Sequence, residues 1–185
     1  MNSTIGDTVS PDTILTFWSN AGYERWYTKD HAFDQELRDR FMRTWEAARD
    51  AKLSAWQDTD DGALALLIVL DQFPRNMFRN DPRAFSTDAL ARTVATRAIA
   101  EGRDLRADPK LRSFIYLPFE HSEDLADQER SITLFAPLGE DSVKWAVVHA
   151  DIIRKFGRFP HRNTVLGRTS TEAEKDYLAD GGFSG

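Results

Sequence analysis

The chain has 185 residues, of which 41% are hydrophobic and 29% charged, so its composition fits a folded domain and excludes general disorder. Its 24 basic and 30 acidic residues give a net charge of −6, which disfavours a nucleic-acid-binding protein. The absence of cysteine excludes disulfides, thiolate metal sites and cysteine nucleophiles. The longest apolar run, residues 63–70, is less than half of a membrane span, and residues 1–7 lack the features of a signal peptide. We therefore expect a soluble, cytoplasmic protein.

Helix-start residues and hydrophobic spacing predict three helices in the first part of the chain. Residues 10–12 (Ser-Pro-Asp) are typical of a helix start, and Gly22 predicts the end of that helix. Apolar residues at spacings of three and four predict a second helix over 31–52. The run 63–70 predicts a third helix, buried on all sides. Pro74 should end it, because proline disfavours the helical conformation of the residue before it.

Acidic or hydroxyl helix starts and proline breakers divide the rest of the chain. They predict helices over residues 86–102, 110–117, 122–135, 141–156 and 171–178. No segment shows sustained alternation of apolar and polar residues bounded by hairpin turns, so the predicted fold class is all-α, with about eight helices in a single domain over 1–185. We expect frayed termini at about 1–9 and 180–185. The predicted core comprises Phe41, Trp45, Leu66, Leu67, Leu70 and Val147.

Two predicted helix ends share a sequence. Residues 71–76 read Asp-Gln-Phe-Pro-Arg-Asn, and residues 157–163 read Gly-Arg-Phe-Pro-His-Arg-Asn. With these two stretches and residues 116–123 (Tyr-Leu-Pro-Phe-Glu-His-Ser-Glu), the chain resembles the mainly bacterial domain-of-unknown-function family 924 over nearly its whole length. The resemblance implies a helical fold similar to the tetratricopeptide-like α-α superhelices, and it implies no particular activity or substrate.

Cations cluster around both Phe-Pro sequences. Arginine side chains donate paired hydrogen bonds that suit phosphate and carboxylate groups, so these clusters predict an anion-binding site. Alternatively, the same cations neutralise helix C-termini and bind no ligand. The candidate ligand-binding residues are Arg75, Asn76, Arg79, Arg154, Arg158, His161, Arg162 and Asn163.

Histidines and carboxylates are the remaining candidates for proton transfer in a chain without thiols. We consider His121 or His149 as a general base, oriented by Glu120 or Asp124. The structural alternatives are that His149 is a hydrogen-bonded core residue and that the acidic residues pair with the basic loop. The spacing of these residues matches no metal-binding motif, so we predict no metal and no cofactor.

Three functions remain open. The first is a helical binding module with an arginine-lined pocket for an anionic small molecule or an acidic or carboxylate-bearing peptide. The second is a small-molecule enzyme that performs acid–base chemistry on an anionic substrate, and the third is a structural protein without a ligand. The first two require Arg75, His121 and the loop 158–162 to share one cleft. We expect neither a nucleic acid nor a membrane as partner, and the sequence leaves the oligomeric state open.

Overall fold

A computed structural model of the chain describes residues 8–185, and within this range the secondary structure is helical, without a β-strand. The part of the predicted frayed N-terminus in residues 1–7 lies outside the described residues. The α-helices are α1 (Pro11–Tyr27), α2 (His31–Arg49), α3 (Asp60–Leu67), α4 (Phe73–Met77), α5 (Asp88–Ala100), α6 (Ser113–Glu120), α7 (Leu125–Phe135), α8 (Glu140–Phe156) and α9 (Glu172–Ala179). When the uninterrupted segment 60–77 is counted as one helix, the described residues form eight, which confirms the predicted class and number. None of these helices combines the length and the apolar character needed to cross a membrane.

The chain groups into two compact units, each of which is described by itself. Unit 1 comprises the described residues up to Arg79 together with Arg83–Pro118, and unit 2 comprises Asn80–Pro82 and Phe119–Gly185. In unit 1, α3 packs against α1 and α5, and α2 packs against α4. In unit 2, α7 packs against α8, and α9 packs against a 3-10 turn, Pro160–Arg162. The prediction of one domain over 1–185 stays a prediction.

Three predicted helix ends are wrong, those at Gly22, Pro74 and Pro118. At Gly22, α1 continues to Tyr27 through a kink, where glycine adopts a positive φ of 76° that other residues disfavour. At Pro74, the helix continues because a π-helical turn, Ile68–Gln72, precedes it. The Phe73 N–H bonds the carbonyl of Ile68, five residues back. Pro74 has no N–H for the carbonyl of Leu70, four residues back, and the hydroxyl of Thr87 donates to that carbonyl at 2.5 Å instead. A third predicted helix end is also wrong, because Pro118 lies within α6.

The predicted core is confirmed with one exception. The side chains of Phe41, Trp45, Leu66, Leu67 and Leu70 are all buried in unit 1. The prediction is wrong for Val147, which is only half-buried. The buried face of α8 follows Ala146, Ala150 and Ile153 at helical spacing, and Val147 lies at the edge of that face.

Truncation of Leu67 tests the core of unit 1. Leu67→Ala should lower the free energy of unfolding by about 2–5 kcal/mol, because this fully buried side chain would leave a cavity. Urea unfolding followed by circular dichroism measures the change. Leu105, which is 71% exposed, provides the control: Leu105→Ala should change the free energy by less than about 0.5 kcal/mol. Equal effects of the two substitutions would contradict the placement of α3.

Candidate functional site

The first Phe-Pro sequence supplies donors to a buried carboxylate, that of Asp34 on α2. Arg79 donates from Nε at 2.6 Å and from Nη2 at 3.1 Å to the two oxygens of Asp34. Asn76 donates from Nδ2 to the same carboxylate at 3.0 Å. Asp34 is almost fully buried, so these three hydrogen bonds replace the water that its charge has lost. In this structure Asn76 and Arg79 therefore serve an internal ion-pair network.

Arg75 is engaged by two carboxylates of unit 1. Its Nη1 and Nη2 donate to the two oxygens of Asp88 at 3.0 and 3.1 Å, which is the strong bidentate arrangement. Nη1 also donates to the backbone carbonyl of Asp71 at 2.7 Å and lies 3.2 Å from the buried Asp71 carboxylate. An anion at Arg75 would have to displace partners that are themselves buried.

The second Phe-Pro sequence repeats this chemistry in unit 2, where the buried carboxylate is Glu174 on α9. Arg158 donates to Glu174 from Nε at 2.6 Å and from Nη2 at 2.8 Å, and Asn163 donates from Nδ2 at 3.2 Å. The Thr171 N–H adds a bond at 2.7 Å and completes the predicted capping box of α9. The hydrogen bond from Arg158 is the largest of the effects that lower the pKa of Glu174 to about 2.

The remaining cations of this basic stretch also contact residues of unit 2. Arg168 pairs with Glu123 through both Nη atoms, at 2.7 and 3.0 Å. Arg154 pairs with the exposed carboxylates of Glu129 and Asp151. The guanidinium of Arg162 is buried and lies 4.4 Å from the centre of the Phe159 ring. Arg168 and Glu123 therefore form the kind of ion pair that the structural alternative expects, between the acidic residues and the basic loop.

A histidine and a glutamate meet in the interior of unit 2. His149 on α8 and Glu120, the last residue of α6, are both buried, with His149 Nδ1 3.4 Å from Glu120 Oε1. His149 Nδ1 also lies 2.8 Å from the backbone carbonyl of Trp145, one helical turn earlier. Gln128 on α7 fixes the end of α6 by donating to the backbone carbonyl of Glu120 at 2.6 Å. The structure therefore brings together two of the four predicted acid–base residues.

The other two predicted acid–base residues lie in the segment between α6 and α7. Asp124 is exposed and caps α7, since its carboxylate accepts from the N–H groups of Ala126 and Asp127. His121 is half-buried in the turn that follows α6. No group of three His, Asp or Glu side chains in residues 8–185 is arranged to hold a metal ion. The predicted cleft shared by Arg75, His121 and the loop 158–162 stays a prediction.

Phe183, in the segment predicted to be frayed, packs against both the Phe-Pro loop and α8. Its ring centre lies 4.5 Å from that of His149 and 5.4 Å from that of His161. Its N–H donates to the hydroxyl of Tyr177 at 2.9 Å. These contacts join Phe183 to α8 and to the Phe-Pro loop, and the fraying expected over residues 180–185 stays a prediction.

A groove of about 440 Å³ between α1 and α2 of unit 1 contains two cations that the sequence analysis missed. The Arg25 guanidinium lies 4.8 Å from the centre of the Phe33 ring, and that of Arg40 lies 4.6 Å from the centre of the Phe17 ring. The two rings stack on each other with centres 5.6 Å apart. The groove is lined by Asp12, Thr13, Thr16, Phe17, Asn20, Ala21, Arg25, Phe33, Glu36 and Arg40. No pattern within one helix signals this groove, because it forms between two helices.

Glu174→Gln tests the network of unit 2. An ordinary glutamate titrates near 4.5, and the pKa of Glu174 is lowered to about 2, so its ion pair stabilises the fold fully above pH 4.5 and is lost as the pH falls through 2. The variant should melt at a lower temperature than the wild type at pH 7, and this difference should shrink between pH 4.5 and 2. Thermal melts across this range measure it. Glu172→Gln, two residues away and exposed, should show neither effect; a constant difference for Glu174→Gln would contradict the assignment.

Comparisons with other proteins agree with this architecture. The profile of a family described as bacterial proteins of unknown function (DUF924) matches residues 14–182. The solved structure of a protein of unknown function, ATU0120 from Agrobacterium tumefaciens, is 44% identical in sequence and has a TM-score of 0.90. The alignment covers 92% of this chain and 97% of that one. A comparison with curated proteins gives no match. Because the family profile spans nearly the whole sequence, this chain belongs to the DUF924 family of bacterial proteins.

Proposed function

We propose that this protein is a helical binding module that holds an anionic small molecule in the groove between α1 and α2. The volume of about 440 Å³ lies in the range of pockets that take small-molecule ligands. The proposal rests on one observation: Arg25 and Arg40 are oriented by aromatic rings, whereas their carboxylate partners are accessible to water.

The partners of the two groove arginines distinguish them from the arginines at the Phe-Pro sequences. Arg40 pairs with Glu36 at 2.8 Å, and the two side chains are 47% and 40% exposed. Arg25 pairs with Asp30 at 3.3 Å, with exposures of 44% and 33%. Exposed ion pairs of this kind contribute about 0–1 kcal/mol, so a ligand anion can replace the partner at little cost. The partners of Arg79 and Arg158 are only 2% exposed and cannot be exchanged so readily.

The rings of Phe33 and Phe17 hold the guanidinium groups of Arg25 and Arg40 in place before a ligand binds. A guanidinium held over a ring keeps its N–H edge directed outwards, where it can form paired hydrogen bonds with a carboxylate or a phosphate. Asp30 also caps α2 through the N–H groups of Ala32 and Phe33, so it stays in place when Arg25 changes partner. The hydrogen bond from the Phe33 N–H is the main reason that the pKa of Asp30 is lowered.

We also propose a cytoplasmic location, which rests on composition alone. The superhelical arrangement implied by the family resemblance, and a ligand role for the arginines of the Phe-Pro sequences, stay predictions. An acidic peptide is the other anionic partner considered, and the size of the groove favours a small molecule over an extended chain.

The anion test compares groove and non-groove arginines. Phosphate, succinate and a short glutamate peptide should each be titrated against the wild type in a thermal shift assay at low salt. A ligand at about 100 times its Kd stabilises the folded state by about 2.7 kcal/mol, so the melting temperature should rise. The double variant Arg25→Gln, Arg40→Gln should lose this rise and otherwise melt normally. High salt should weaken the effect, since charges screen over about 10 Å at 0.1 M.

Arg154→Gln is the matched control, because Arg154 is also exposed and also pairs with exposed carboxylates, yet lies outside the groove. It should retain the full response to anions. A stronger response to the peptide than to succinate would favour a peptide partner. A response that survives the double variant, or a wild type indifferent to all three probes, would refute the proposal.

A further inference from the structure

The groove between α1 and α2 contains carboxylates as well as arginines. Its lining includes Asp12 and Glu36 in addition to Arg25 and Arg40. Glu36 pairs with Arg40 at 2.8 Å. The exposed Asp12 side chain makes no hydrogen bond or ion pair with another residue in the described range 8–185. A ligand with negative charges alone would bind the two arginines and be repelled by Asp12, and a positive group on the ligand would convert that repulsion into attraction.

The directions of α1 and α2 show which arginine lies on the side of Asp12. The Val9 N–H donates to the Thr44 hydroxyl at 3.2 Å, so the start of α1 lies beside the part of α2 that contains Arg40, one turn before Thr44. The end of α1 and the start of α2 are joined by only three residues, and Arg25 lies in the last turn of α1. Asp12 and Arg40 therefore lie towards one end of the groove and Arg25 lies towards the other.

A series of ring contacts connects the two arginines. The guanidinium of Arg25 lies 4.8 Å from the centre of the Phe33 ring, and that of Arg40 lies 4.6 Å from the centre of the Phe17 ring. The two rings are within 7° of parallel, with centres 5.6 Å apart. Two carboxylates on one short carbon chain can therefore reach both guanidinium groups. The methylene groups of such a chain would cover the rings, which removes apolar surface from water.

We propose that the ligand of this groove is an α-amino acid with an acidic side chain, an inference that rests on the anion site proposed above. The α-carboxylate binds Arg40 and the α-ammonium binds Asp12, since both ligand groups are on one carbon atom and both residues lie towards the same end. The side-chain carboxylate binds Arg25. Thr16 and Asn20, one and two turns after Asp12 on α1, provide neutral hydrogen-bonding groups along the groove.

Matched pairs of probes test the role of the α-ammonium on the full chain. L-aspartate, L-glutamate and L-α-aminoadipate differ from succinate, glutarate and adipate only by that ammonium group. Titration calorimetry at low salt and neutral pH measures each affinity. At least one of the amino acids should bind the wild type about fivefold more tightly than its matching dicarboxylate, the factor that an ion pair worth about 1 kcal/mol produces. Arg25→Gln and Arg40→Gln should each weaken the binding of that amino acid about fivefold.

Asp12→Asn removes the partner of the ammonium and keeps both arginines. It should lower the affinity for the preferred amino acid about fivefold and should not weaken the binding of the matching dicarboxylate, which also shows that the variant groove is intact. Glu24→Gln is the matched control, because Glu24 is another exposed acidic residue of α1 and lies outside the groove lining. It should keep the wild-type preference.

The outcomes separate this inference from the anion site on which it rests. Equal affinities of each amino acid and its matching dicarboxylate, or a preference that survives Asp12→Asn, would overturn the amino-acid ligand and leave the anion site in place. A wild type that binds none of the six probes would refute the anion site and the amino-acid ligand together.

Discussion

Two buried carboxylates, Asp34 and Glu174, constrain the two halves of the described chain in the same way. Each is removed from water, which is unfavourable for a charged group unless donors replace the lost hydrogen bonds. In both cases an arginine binds the carboxylate through two nitrogens and an asparagine adds a third donor. Removal of one donor would leave a buried charge incompletely paired, so the donors and the carboxylate depend on one another. The asparagines Asn76 and Asn163 end the two Phe-Pro sequences and have this role in common, whereas Arg79 and Arg158 come from different positions relative to the Phe-Pro pair.

The burial of the partner carboxylate determines whether an arginine can bind a ligand anion. Arginines that bind buried carboxylates hold distant parts of the sequence together, and a ligand would have to break that link first. Arg25 and Arg40 differ because aromatic rings fix their orientation while their ion pairs remain exposed. In unit 2 Glu120 and His149 are both buried and lie in contact with one another.

Much of the fold was predictable because local signals determine helices. Hydrophobic spacing and caps located α2, α7, α8 and α9 to within a few residues, as the capping box at Thr171 illustrates. The ends at Gly22 and Pro74 were not predictable, since a kink and a π-helical turn depend on the packing around them. The sequence analysis also identified Glu120 and His149 as candidate acid–base residues. It could not show that Arg158 binds Glu174 or that Arg25 and Phe33 share a groove, because these contacts join residues from different helices or loops.

We propose that an anion binds where arginines have exposed partners, and that the number of arginines in a segment does not determine the site. Nuclear magnetic resonance of the arginine Nε–H groups during a phosphate titration at low salt measures anion binding residue by residue. We expect the Nε resonances of Arg25 and Arg40 to shift with a common saturation curve, while those of Arg79 and Arg158 stay fixed on their carboxylates. Shifts at Arg79 or Arg158 together with unchanged resonances at Arg25 and Arg40 would contradict the account.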